Sequence, residues 1–394
     1  MQEVVIVSAK RTALGSFMGS LKNTKAVDLA SAVAKAIFAE TKIDPNLVDE
    51  VILGQILQAG QGQNSARQVL INSGIDQSKS AFTINKVCGS GLKAIGLAQQ
   101  SIALGDAEVI LAGGAENMSM SPYLLEGIRE GYKMGDKKVV DSMIKDALSC
   151  AFNNYHMGIT AENLVKKYGL TRDEQDKFAL ESQIKAKKAL ESGVFKDEIV
   201  PITLKSKKGD TIFDKDEFVK LDASAEGLNK LKPAFDKEGS VTAGNSSGIN
   251  DGAALVLVMS KAKAQALNLP ILATIKAVAA AGVDPSIMGI GAAAAAQKVL
   301  DKAKMSINDI DVIEANEAFA AQSLACLKEL KPNDLSKINI NGGAIALGHP
   351  VGASGARITV SLLHEMKRRK AKHGLATLCI GGGQGIAAIF ERNE

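Results

Sequence analysis

Tryptophan is absent from this 394-residue chain, and aromatic residues make up only 4% of it. Cysteine and histidine occur four times each, and proline eight times. Four widely separated cysteines in so long a chain are no disulfide framework, and they point to a reducing cytoplasm. Too few aromatics are present to interleave with basic residues, and a net charge of +4 is too weak to argue for nucleic acid. It fits anionic small ligands better. No apolar run approaches the roughly 20 residues of a membrane span. The opening "MQEVVIVSAKRTALG" reads as a first strand rather than an export signal. Cys-x-x-Cys and His-x-x-x-His spacings are missing, so no metal site is expected.

What the chain does have is apolar bulk, 46% of its residues, and 37 glycines. This composition suits close packing of helices on sheets. The first half alternates strand and helix signals: "EVVIVSA", "AVDLASAVAKAIFAETK", "SARQVLINSG", "AFTINKV", a helix from Gly89, and "AEVILAGGAENMS". That order predicts an α/β layered fold. The second half repeats it. "INDIDVIEANEAFA" matches "PNLVDEVILGQIL"; "ININGGAIALGHPVGASGARITVSLLHEM" matches the strand, turn and helix around Cys88; "LATLCIGGGQGIAAI" matches "AEVILAGGAENMS". An internal duplication is the expectation, with a pseudo-twofold axis between the halves. We divide the chain into an N-terminal half, 1–118 completed by about 249–270, and a C-terminal half, 271–394. An insertion at 119–248 lies over one half. Within it, Thr171 and Glu174 form a capping box for a helix closed by Gly193.

Four loops that follow strands carry the chemistry: Cys88 in "VCGSG", Asn316 and Glu317 in "EANEAFA", His349 in "GGAIALGHPVGASGA", and Cys379 in "LCIGGGQG". Such loops bind ligands in α/β sheets. Cys88 stands at the start of a helix, where free N–H groups and the macrodipole favour a thiolate. Gly89 and Gly91 would let a substrate approach the sulfur. A small buried thiol used only for packing is the alternative. His349 stands on a turn between glycines, and the duplication would bring it beside Cys88, as a base or as a locally bonded turn histidine. Glycines after Cys379 expose N–H groups suited to an oxyanion hole, and its thiol is either a general base with a pKa near neutrality or a structural residue. Cys150 and Cys326 read as packing residues. His364 and His373 read as helix-surface and turn positions, and "MKRRKAKHG" as a solvated helix end. Two thiols, a histidine, an asparagine and glycine-lined loops suit thioester chemistry.

"NKVCGSGLKA", "AGGAENMS", "YHMGITAEN", "VTAGNSSGINDGAA", "EANEAFA", "NGGAIALGHPVGASGAR" and "LCIGGGQG" occur in this order over nearly the whole chain. By these motifs it resembles the thiolase family, biosynthetic type. The resemblance implies duplicated five-layer α-β-α-β-α halves with an inserted loop domain, and a homotetramer built as a dimer of dimers. It implies reversible condensation of two acetyl-CoA to acetoacetyl-CoA and coenzyme A, with these thioesters as substrates and no cofactor. A degradative 3-ketoacyl-CoA thiolase is the second enzyme reading. A non-catalytic acyl-CoA-binding or redox-sensing protein is the alternative of another class.

Carried over by motif, Cys88 is the acylated nucleophile and Cys379 the acid/base at the substrate α-carbon. His349 activates Cys88 and helps hold the thioester oxygen. Asn316 fixes a water in that oxyanion hole, and the N–H groups of Cys88 and Gly381 form a second hole. Leu148, His156, Met157, Ala243, Ser247 and Phe319 line the coenzyme A path. Met157 and Met288 limit the acyl pocket to short chains. Lys220 stands where close relatives often carry arginine near the adenine, and it lacks arginine's planar stacking surface.

Overall fold

Alternation along the first strand explains why a sheet forms here with both faces covered. In Val4–Thr12 (β1), Val5 and Val7 point to one apolar cluster while Val4 and Ile6 point to another. A strand with two buried faces needs a helix layer on each side. The computed structural model describes residues 2–392.

The N-terminal elements are β1, α1 (Ala26–Thr41), β2 (Glu50–Gly54), α2 (Ser65–Asn72), β3 (Ser80–Ile84), α3 (Ser90–Leu104) and β4 (Val109–Asn117). Two helices of the intervening stretch follow, α4 (Met157–Tyr168) and α5 (Arg172–Glu191), and then β5 (Asn250–Ser260). The C-terminal elements are β6 (Ala273–Gly282), α6 (Gly291–Ala303), β7 (Val312–Ala315), α7 (Ala320–Leu330), α8 (Ser354–Arg369), β8 (His373–Ile380) and β9 (Gln384–Glu391).

Strand order runs β3-β2-β4-β5-β1 in the first half and β7-β8-β9-β6 in the second. In both halves the outer pairings are parallel and the inner ones antiparallel. The halves meet where β1 pairs antiparallel with β6, at Val5 with Thr274 and Ile6 with Ala273. The expected strand in "ININGG" is reduced to a single parallel bridge, Ile313 with Ile338, where β3 would have its counterpart. Asn339 there is left-handed, with φ of 45°, and its side chain bonds Ala315 N–H and C=O instead of continuing a ladder.

Helices α3 and α8 lie between the half-sheets. Leu92, Ile95, Ile358 and Leu362 share one core with Ile52 and Ile110 of the first half and Leu378 and Ile386 of the second. Helices α1 and α2 cover the outer face of the first half, and α6 covers that of the second. The result is five layers, α-β-α-β-α.

At their first turns α3 and α8 touch through glycine. A Cβ on Gly91 would lie 2.7 Å from Ala356 N and 3.2 Å from Gly352 O, and one on Gly355 would overlap Leu92 N. A Cβ on Gly89 would lie 2.5 Å from Ile380 Cδ1. Gly91 therefore serves the contact of the two helices, and Gly89 the contact of the turn before α3 with Ile380 and Ile386, a packing role beside the expected one of leaving the sulfur open.

The stretch between β4 and β5 leans on the second half. There α4 packs on α7, and α5 packs on α7 and on Ala344–Leu347. The Thr171–Glu174 capping box opens α5 as expected, and Gly193 follows its end with φ of 70°. A buried ion cluster pins this stretch to β1. Arg11 bonds Asp216 with two nitrogens, at 2.7 and 2.9 Å, and Glu198 at 2.7 Å.

Two histidines differ from expectation. His364 is half-buried, with Nε2 2.9 Å from Ala9 O, because α8 is covered on nearly every side. His373 opens β8 and faces Glu391 of the neighbouring strand.

Candidate active site

Helix packing brings the loops together. Cys88 lies between β3 and α3; His349 lies just before α8. Since α3 and α8 cross at Gly91 and Gly355, both residues face one cavity of about 440 Å³. Pockets of a few hundred Å³ suit small-molecule ligands. Its wall also holds Leu148, His156, Met157, Lys220, Ala243, Ser247, Met288, Phe319 and Gly381. Asn316 and Cys379 lie behind the wall, buried.

Val87, just before the nucleophile candidate, has φ of 44°. For a β-branched residue this is strained backbone, costing on the order of 1–3 kcal/mol. Ser90 holds the turn, since its Oγ donates to Val87 O at 2.7 Å and accepts from Lys86 N at 2.8 Å. The N–H groups of Gly381 and of Cys88 itself face the Cys88 sulfur. Burial nevertheless pushes the thiol up to about 11. The expected thiolate is therefore not the resting form. The apolar surroundings (Ile56, Leu57, Met118, Val351) outweigh the two N–H groups.

His349 is buried and neutral, its pKa pushed down to about 3 by desolvation and then by the charge of Arg357. Its Nδ1 lies 2.6 Å from Ser354 Oγ. Its backbone N–H donates to Asn250 Oδ1 at 2.9 Å, and Asn250 reaches Gly15 O with its amide nitrogen.

Cys379 is fully buried on β8. Desolvation raises its pKa well above the usual thiol value, and the nearby Cys88 adds to this. The expectation of a thiol poised near neutrality is corrected for the same reason as at Cys88. Cys326, expected only to pack, is buried in the same apolar cluster as Cys379. Cys150 is buried there too, and all four cysteines are free thiols.

Asn316 is 1% exposed, and neither its amide nitrogen nor its oxygen has a partner in the protein. A buried amide without partners costs about 1–3 kcal/mol unless a water fills the gap. Glu317, by contrast, is saturated by Ser182, Asn339 and the Ile345 N–H.

The cavity wall also holds Phe218 and Phe235, which the sequence reading passed over. Phe235 stacks on His156 with ring centres 4.6 Å apart, and meets Phe319 edge-on at 6.0 Å. Phe218 lies under Lys220 Nζ at 5.1 Å, which gives that cation an aromatic neighbour. Both phenylalanines sit in charged, turn-rich sequence with no periodic signal. Glu116 was also missed. Buried, and pushed up to about 7 by desolvation, it accepts N–H bonds from Ile56, Leu57 and Gly352. It thereby ties the His349 loop to the first half. Its signal was the polar end of an otherwise apolar strand.

The geometry has its counterpart in known proteins. Residues 4–262 match the family model for the thiolase N-terminal domain, and residues 269–392 that for the thiolase C-terminal domain. An acetyl-CoA acetyltransferase of Pseudomonas aeruginosa is 60% identical over 394 residues, covering 100% of both chains. The crystal structure of the Bacillus anthracis acetyl-CoA acetyltransferase superposes with a TM-score of 0.97 at 48% identity, covering 99% of each chain. Human mitochondrial 3-ketoacyl-CoA thiolase superposes with a TM-score of 0.97 at 44% identity, covering 100% of this chain and 99% of that one. With both family models matched in order, and relatives alike over their full length, this chain belongs to the thiolase family.

Proposed function

We propose that the chain is an acetyl-CoA C-acetyltransferase that condenses two acetyl-CoA to acetoacetyl-CoA and coenzyme A, reversibly, through an acetyl group on Cys88. The acetyltransferase names of its full-length relatives support the activity. The observation that carries the mechanism is one cavity faced by a half-buried thiol, a neutral imidazole and the Gly381 N–H.

In this reading Cys88 starts as a thiol and His349 takes its proton as the sulfur attacks the thioester carbonyl. Charge developing on the carbonyl oxygen is held by N–H donors that are already in place. As the Cys88–acyl bond forms, the carbon–sulfur bond to coenzyme A breaks. Cys379 enters as an acid, because burial holds its proton, and it protonates the leaving coenzyme A sulfur. The Cys379 thiolate left behind, near Cys88, is then a strong base for the α-proton of the second acetyl-CoA. A water on Asn316 and the imidazolium N–H hold the enolate oxygen.

Met157 and Met288, both nearly buried in the wall, keep the acyl end short and argue against the longer-chain reading. We keep the division into 1–118 with 249–270, an inserted 119–248 and 271–394 as the organisation, and we place the enzyme in the cytoplasm. No described helix is long and apolar enough to cross a membrane. The homotetramer belongs to the same proposal. Among the described residues the outer edge of β3 has no partner strand and bears exposed Phe82, and Tyr123, Met134 and Val139 are exposed on the 119–148 stretch.

The test is acid quenching with acetyl-CoA, followed by peptide mass spectrometry. An acetyl group on Cys88 is expected. Acetylation of Cys379, or of no cysteine, would refute the assignment.

A further inference from the structure

We propose that Ser354 is a positioning residue that selects the tautomer of His349, keeping the proton on Nδ1 and leaving Nε2 bare toward the cavity. The inference rests on the reading of His349 as the base for Cys88, and concerns a residue that reading does not use.

The argument is one of counting protons. Ser354 Oγ has one hydrogen and two neighbours: Pro350 O at 2.9 Å and His349 Nδ1 at 2.6 Å. The carbonyl oxygen can only accept. With both contacts made as hydrogen bonds, the serine proton goes to Pro350 O, beside the N–H groups of Ala353 and Ser354, and at the other contact Oγ accepts from Nδ1–H. A neutral imidazole carries one N–H, so Nε2 holds a lone pair. Burial keeps the ring neutral at rest. Among the described residues nothing bonds Nε2, and the ring lines the same cavity as Cys88.

The duplication supplies an internal control. Helix α3 begins Ser90-Gly91 and α8 begins Ser354-Gly355, and the two first turns touch each other. Ser90 Oγ makes a related pair of bonds, donating to Val87 O three residues back at 2.7 Å and accepting from Lys86 N at 2.8 Å, whereas Ser354 reaches the carbonyl four residues back, on Pro350, which has no N–H to offer. There the second donor is a backbone N–H, so its direction is unambiguous: the serine at the helix start donates back to the preceding turn and accepts from a nitrogen. In the second half a side-chain nitrogen has taken the place of the backbone one. Asn250 completes the device by holding the His349 N–H, so the ring pivots from a fixed turn.

The chemistry follows. When the Cys88 S–H bond breaks, its proton forms an N–H bond at Nε2. The resulting imidazolium keeps its Nδ1–H on Ser354, so no other group has to move. With the opposite tautomer, Nε2 would already be protonated and could take nothing.

Two measurements test this. Nitrogen-15 NMR of the resting enzyme labelled at histidine should show His349 with a protonated Nδ1 and a bare Nε2. That readout needs neither a variant nor turnover. Alkylation of Cys88 by iodoacetamide at neutral pH should slow roughly tenfold or more in Ser354→Ala, below the range usual for losing a positioned base outright. Ser354→Thr, which keeps the hydroxyl, should stay within about threefold of wild type. A protonated Nε2 in the resting wild type would overturn the proposal, and so would wild-type alkylation in Ser354→Ala. Absence of acetyl-Cys88 in wild type would instead sink the functional reading, and the resting spectrum would still decide the tautomer.

Discussion

Replacing Gly91 by alanine tests whether the crossing of α3 and α8 sets the geometry of the site. Gly91 has no left-handed backbone, and alanine is the better helix former by about 1 kcal/mol. Propensity alone predicts a small stabilisation. Packing predicts the reverse. The added Cβ would lie 2.7 Å from Ala356 N, about 0.7 Å inside the 3.4 Å of ordinary contact, and 3.1 Å from Ala356 Cβ. The obstacle is backbone of another helix, so no flexible tip can turn aside. Overpacking of this kind costs about 1–3 kcal/mol, which exceeds the propensity gain, so the net loss is up to about 2 kcal/mol. Relief comes from moving the two helix starts apart by several tenths of an ångström. That motion separates Cys88, on the turn before α3, from His349, on the turn before α8. A misplacement near 1 Å can cost about a hundredfold in rate, so kcat should fall roughly ten- to a hundredfold with the fold intact. The assay is thiolysis of acetoacetyl-CoA, followed at the absorbance of its magnesium enolate, alongside thermal melting. A melting point lowered by a few degrees with kcat within about twofold of wild type would refute the reasoning. It would show that the helix crossing contributes stability but does not place the two groups.

Asn316→Ala should lower turnover on the order of a hundredfold, the usual loss for one oxyanion donor, with little change in melting. The small stability effect follows because the amide has no protein partner to lose; unchanged turnover would make Asn316 structural. His349 gives a pH prediction. Its pKa falls from 6.5 in the unfolded chain to about 3 in the folded one, so between these values the unfolded chain binds the extra proton. Stability contributed by the neutral ring is complete above about pH 6.5 and is lost as pH falls toward 3. His349→Asn should flatten that part of the melting curve, and an unaltered acid limb would contradict the burial of the neutral ring.

The chain's motifs marked the cavity more completely than its periodicity marked the fold. Every motif residue expected to line a coenzyme A path lies on the cavity wall. Phe218 and Phe235 were not legible, because an isolated aromatic in a charged loop has no local pattern to show which way it faces. The two thiols stand out by their settings in the sequence, but the expected lowered pKa values do not hold. A helix start argues for a lowered pKa from local structure alone, whereas desolvation depends on residues far away in sequence, such as Met118 and Val351 beside Cys88.

What the sequence determined by itself was order and kind. Alternating strand and helix signals, repeated in two halves, dictated two similar α/β layers, because amphipathic period and turn residues act over a few neighbours. It also dictated which residue types end each strand. Tertiary structure alone decided how the halves join. They meet by the short pairing of β1 with β6, and by two helix starts bare enough, at Gly91 and Gly355, to touch. That contact brings Cys88 and a histidine some 260 positions away in the chain onto the wall of one cavity, where burial moves both groups from their ordinary pKa values.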